Sequence, residues 1–111
     1  MQSDRKLLTL AAKAVGLVLQ LDYDGNFWAH AEDEHPELGR RWNPLTDDGD
    51  ALRLAVKLNI NVFIYDNETS TGTIGVVAKD WGSKEANTRR AIVRAAAELA
   101  QAHPDHKDGG A

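Results

Sequence analysis

The stretch 61-NVFIYDNETSTGTIGVVA-78 decides how the second half of this chain folds. Asn61 to Asp66 is dense in β-branched and aromatic side chains, which fit a pleated surface better than a helix. Asn67 to Gly72, NETSTG, is a cluster of turn formers. Thr73 to Ala78 then returns as a second β-rich run, with Gly75 marking a bulge or a close backbone approach. The expected unit is strand, polar turn, strand.

The first half repeats that logic. Leu17, Leu19, Leu21 and Tyr23 alternate with Val18, Gln20 and Asp22, the period of a strand. Asp24-Gly25 is a hairpin signal, because a type I′ turn needs positive φ at both central residues. Asn26 to His30 forms the return strand. Leu7, Leu8, Leu10, Ala11, Ala14 and Val15 recur at helical spacing, with Ser3 as N-cap and Gly16 as stop. This predicts a helix over 4–15. Thr46 is read as the N-cap of a second helix over 47–58, stopping at Asn59. Ser83 caps a third, Ala-rich helix over 84–102.

The expected order is therefore α-β-β-α-β-β-α, a mixed α+β chain with one four-stranded, mainly antiparallel sheet. Val18 beside Leu17 and Leu19, and the run Val62-Phe63-Ile64-Tyr65, leave little room for a wet sheet face. That favours helices on both faces, a three-layer α/β/α sandwich, over the competing arrangement with all helices on one face. One globular domain spans 1–102, and the polar tail 103–111 is expected to be mobile.

With 111 residues, 42% hydrophobic and 27% charged, the chain has the balance of one globular domain. It has no Cys, which excludes disulfides, thiolate metal sites and Cys nucleophiles. A reducing cytoplasm is the natural compartment. The polar start is not that of a signal peptide, and no apolar stretch approaches the length of a membrane span. A net charge of −4 argues against a general nucleic-acid binder.

Asp47-Asp48-Gly49-Asp50 invites a metal-loop reading. An EF-hand loop needs Gly at position six and Glu at position twelve, and here position twelve from Asp47 is Leu58. Acids at a helix start explain the same residues, each adding roughly 0.3–1 kcal/mol through the helix dipole. His30 and His35 beside Asp33 and Glu34 have the chemistry of a mixed metal site, but nothing in their spacing fixes a geometry. His103 and His106 fall in the tail. Arg89, Arg90 and Arg94 on the third helix read as a solvated face, with an anion or acidic-partner patch as the alternative.

The polar segment 31-AEDEHPELGRRWN-43 is long for a connection in so small a domain, a mark of an insertion or a working part. Trp42 and Trp81 sit in loops beside helix starts, where an exposed aromatic anchors a partner. The binding residues expected from this pattern are Trp42 with Arg40 and Arg41, the acidic Glu32, Asp33 and Glu34, and Trp81. The chain carries no phosphate-loop, nucleophile-elbow or metallopeptidase motif, so no catalytic residue, metal ligand or cofactor is assigned.

Two segments, Trp42 to Leu58 (WNPLTDDGDALRLAVKL) and Thr88 to Ala100 (TRRAIVRAAAELA), resemble the phage ABA-sandwich domain family. Leu7 to Gly16 is similar to that family's opening helix. The resemblance implies an α/β/α sandwich in a small phage or prophage accessory protein. It implies no catalytic residues, because the family has no settled activity. The expectation is a cytoplasmic binding protein that engages a host, defence or phage protein. Sequestration of a nucleotide-like small molecule by Trp and Arg side chains is the alternative.

Overall fold

The computed structural model describes residues 3–72 and 74–102. Among the described residues there are three α-helices: α1 (Asp4–Ala14), α2 (Asp48–Leu58) and α3 (Lys84–Ala102). The strands are β1 (Leu17–Leu21), β2 (Phe27–Ala31), β3 (Arg40–Arg41), β4 (Val62–Ile64), β5 (Glu68–Thr71) and β6 (Val77–Lys79). A 3-10 turn, Pro36–Leu38, lies between β2 and β3. The expected tail 103–111, with His103 and His106, lies outside the described residues.

The helices start where the sequence places them. The Ser3 hydroxyl accepts from Lys6 N–H, and the Ser83 hydroxyl accepts from Ala86 N–H at 2.9 Å. The cap of α2 is Asp47 rather than Thr46, its carboxylate accepting from Asp50 N–H at 2.8 Å. Thr46 is instead used one step earlier, closing a turn onto the Asn43 carbonyl. Asn59 ends α2 at φ 56, the left-handed conformation that Asn tolerates.

The single four-stranded sheet is not formed. Among the described residues there are two separate antiparallel sheets of three strands, in orders β1-β2-β3 and β4-β5-β6. The expected order α-β-β-α-β-β-α gives way as well, because each half carries one strand more than expected. Arg40–Arg41 pairs with Trp28 and Ala29 of β2. Glu68–Thr71, expected as a turn, is the central strand of the second sheet. Thr69 and Thr71 are buried there because each hydroxyl has a partner, Thr88 Oγ1 at 2.9 Å and Val76 N–H at 3.1 Å. Threonine is β-branched and suits a strand, so its polarity misleads while its shape does not. The return strand accordingly shifts to Val77–Lys79, and Gly75, at φ 78, belongs to the turn before it.

The first hairpin also differs in detail. Its loop runs from Asp22 to Asn26, and of Asp24 and Gly25 only Gly25 has positive φ. No type I′ turn forms. The Asp22 carboxylate organises the loop, accepting from the Asp24 and Asn26 amides at 2.9 Å each.

Helix α3 is the central element, with α1, α2 and the second sheet packed on it. Ala91, Val93, Ala95, Ala96 and Ala97 are buried, and these small side chains allow close approach from several sides. Leu8, Leu54, Ile60, Val76 and Ile92 complete the centre, and Leu19, Phe27 and Trp42 attach the first sheet to it. The three arginines of α3 are ties rather than a solvated face. Arg89 reaches Asp48 of α2 and Arg90 reaches Asp4 of α1, both at 2.7 Å, and Arg94 donates to the Val77 carbonyl at 2.9 Å.

Candidate functional site

Arg40, Arg41 and Trp42 follow directly on Gly39, which brings the chain back against β2. A Cβ at Gly39 would lie 3.1 Å from the Pro36 carbonyl oxygen and 3.2 Å from that of Ala29. The approach is close because this residue has no side chain. Strand pairing then sets direction. Arg40 stands opposite Ala29 and Arg41 opposite Trp28, so the two guanidinium groups leave opposite faces of the sheet. Arg41 lies 5.8 Å from the Trp28 ring centroid. The indole of Trp28 donates to Asp22 at 2.8 Å. That bond, with the Asn26 amide, holds the Asp22 carboxyl below its ordinary range.

Trp42 extends the pairing by one residue, its amide donating to the Phe27 carbonyl at 3.0 Å. Its side chain is half-buried and packed on the core. It is therefore a wall, not the projecting anchor expected from the sequence.

Facing it across a groove is α2. Asp50 is buried and accepts from Asn43 N–H at 2.9 Å and from the Arg53 guanidinium at 2.7 Å. One carboxylate thus pins the Trp42–Pro44 turn to α2 and holds Arg53 at the groove's rim. Two adjoining concavities of about 350 Å³ and 550 Å³ share Arg41, Trp42, Asp50 and Arg53. The first also takes in Arg40 and Lys57, over a floor that includes Leu17, Ala29 and Leu54. Arg40, Arg53 and Lys57 therefore bring three cations to one concavity in a chain of net charge −4, while the guanidinium of Arg41 leaves the opposite face of the sheet, over Trp28. Among the described residues Arg40, Arg41 and Lys57 form no ion pair, and the one lining carboxylate is already engaged by Arg53.

The other expected site residues lie elsewhere. Glu32 and Asp33 are exposed in the 31–39 loop, and Glu34 folds back to accept from the Ala31 amide at 3.0 Å. None of the three lines the groove. Trp81 is 46% exposed but stacks on Arg90, 3.8 Å from ring centroid to guanidinium carbon. That arginine is in turn paired with Asp4, so the stack closes the α1–α3 corner. Among the described residues no three His, Asp or Glu side chains are grouped to hold a metal. His30 is buried, its Nδ1 against the Ala31 carbonyl at 2.8 Å.

Arg53, Lys57 and Asp50 are the groove residues that sequence reading missed. Asp50 belongs to the acidic start of the helix expected over 47–58, and Arg53 and Lys57 lie inside that helix. Their i,i+4 spacing, which stacks two cations along one side of a helix, was the available signal. No protein-family model, no curated protein and no solved structure matches this chain.

Proposed function

We propose that the protein works by binding, and that its ligand is a small anion carrying a flat ring, of the nucleotide class, held in the groove between the first sheet and α2. The observation that carries this is the convergence of Arg40, Arg53 and Lys57 on the groove walled by the half-buried Trp42. Guanidinium groups pair with phosphate in two-point geometry, and Arg53 is already oriented by Asp50. The apolar floor of Leu17, Ala29 and Leu54 suits the uncharged part of such a ligand. The role is sequestration or sensing.

The test is an NMR titration of the protein with ATP, with adenosine and pyrophosphate as separate probes. ATP is expected to move the amide resonances of residues 40–43 and of Arg53, with each half-ligand binding more weakly. An Arg40→Ala, Arg53→Ala double variant should lose binding at least tenfold. Absence of any shift with ATP or pyrophosphate at millimolar concentration would reject the reading.

A second reading is a cytoplasmic phage or prophage accessory protein that occludes a host or defence protein. The resemblance of Trp42–Leu58 and Thr88–Ala100 to phage ABA-sandwich proteins motivates it, and the exposed Glu32 and Asp33 offer an acidic contact to a basic partner. Pull-down from a host lysate with wild type and a Glu32→Lys, Asp33→Lys variant tests it. Recovery of the same proteins by both would count against that loop.

A further inference from the structure

The second sheet leaves its most apolar strand on the edge. β4 is Val62–Ile64, followed by Tyr65, and β4 ends the order β4-β5-β6. An apolar strand of high β propensity is normally central; on an edge it invites another strand. Here Phe63, Ile64 and Tyr65 are all exposed. Ile64 shares a groove with Leu52 of α2, and Leu52 and Val56, one turn apart, are 63% and 67% exposed. Sheet two thus stops short of covering the helix beside it.

The hydrogen-bond alternation fixes what the edge presents. Gly72 N–H donates to the Asn61 carbonyl and Tyr65 N–H donates to the Glu68 carbonyl. With Val62 opposite Thr71, Phe63 opposite Ser70 and Ile64 opposite Thr69, the bonded pairs are those of Asn61, Phe63 and Tyr65. Val62 and Ile64 therefore direct their backbone N–H and C=O away from β5. No other strand is bonded there among the described residues.

We infer that this edge is occupied by β4 of a second copy, paired antiparallel about a two-fold axis at Phe63. This goes beyond the ligand-binding reading and does not depend on it. The register is self-complementary. Val62 of each copy exchanges both backbone bonds with Ile64 of the other. Phe63 then meets its own copy as the close, non-bonded pair on the outer face, where aromatic cross-strand pairs are favourable. Val62 and Ile64 of the incoming strand add apolar surface on the helix side, next to Leu52. No charge opposes the pairing, since residues 60–65 carry none. Two three-stranded sheets become one of six strands, and the exposed edge disappears.

The experiment is sedimentation velocity on the full chain over micromolar to submillimolar concentrations, with two variants. Wild type should shift from monomer to dimer with concentration. Ile64→Pro removes an N–H that points outward, so the β4–β5 ladder survives while the edge is blocked. It should be monomeric throughout with unchanged far-UV circular dichroism. The chain has no native Cys. Phe63→Cys places two thiols across the axis at about 4.5 Å between Cα atoms, within disulfide reach. Mild oxidation should give a covalent dimer at wild-type stability. A wild type monomeric at every concentration, a dimer that persists in Ile64→Pro, or no crosslink in the Phe63→Cys variant would each overturn the pairing.

Discussion

The Asp50 carboxylate and the Arg53 guanidinium meet at 2.7 Å, but they are not equal partners: Asp50 is 8% exposed and Arg53 largely in solvent. Removing one or the other has unlike consequences. Asp50→Ala strips the Asn43 amide of its acceptor and unpins the Trp42–Pro44 turn, at a cost of about 2 kcal/mol, the range for a hydrogen bond to a charged group. Arg53→Ala leaves Asp50 with the Asn43 amide and gives up an ion pair that is mostly screened, costing below about 1 kcal/mol. Urea denaturation of the two single variants should show that order, and equal losses would contradict it.

A second asymmetry lies in the Thr69–Thr88 contact. Thr88 Oγ1 donates to the Lys84 carbonyl at 2.8 Å, so in the 2.9 Å hydroxyl pair the donor is Thr69. Thr69→Val removes the donor and leaves Thr88 bonded to Lys84, at about 1 kcal/mol. Thr88→Val strands the hydroxyl of a fully buried Thr69 and should cost more, up to about 3 kcal/mol. The double variant should be less damaged than the sum of the singles. Thermal melts of the four proteins decide it.

Those threonines also show where sequence reading stops. The helices were legible because each signal was local: Ser3, the acidic start of α2, Ser83, and Asn59 as a stop act within one turn. The return of the chain at Asp22–Asn26 was legible for the same reason, although its turn type was not. Glu68–Thr71 was not, because burial of Thr69 depends on Thr88, nineteen residues away, and a polar run cannot declare such a partner in advance. The groove divides in the same manner. Arg40, Arg41 and Trp42 are consecutive and were visible, whereas Arg53 and Lys57 join them only because α2 faces the first sheet across the groove.

The lowered Asp22 carboxyl sets a pH expectation. Its folded value lies below the ordinary carboxylate range of about 4, so its contribution is complete above the unfolded value and disappears as pH falls through the folded one. Trp28→Phe removes the largest cause, the indole hydrogen bond, and should move the Asp22 titration upward. Carboxyl NMR titration measures that shift directly. An unchanged midpoint in the variant would assign the depression to the Asn26 and Asp24 amides instead.

Gly39 links the fold to the groove. Its φ of −63 is open to any residue, so the requirement there is space, not conformation. Both atoms crowding a Cβ are backbone carbonyl oxygens, of Pro36 and Ala29, and neither is the end of a flexible side chain. Gly39→Ala must therefore shift the Pro36–Leu38 turn or β3 by a few tenths of an ångström, at about 1 kcal/mol. Because Arg40 follows immediately, the shift passes into the groove. Amide resonances of Arg40, Arg41 and Trp42 should move in the variant while those of the β4–β6 sheet stay in place. Pyrophosphate affinity should fall with them although no lining side chain has changed. Unmoved resonances at 40–42 would show that the 36–39 turn absorbs the methyl by itself and does not position the arginines.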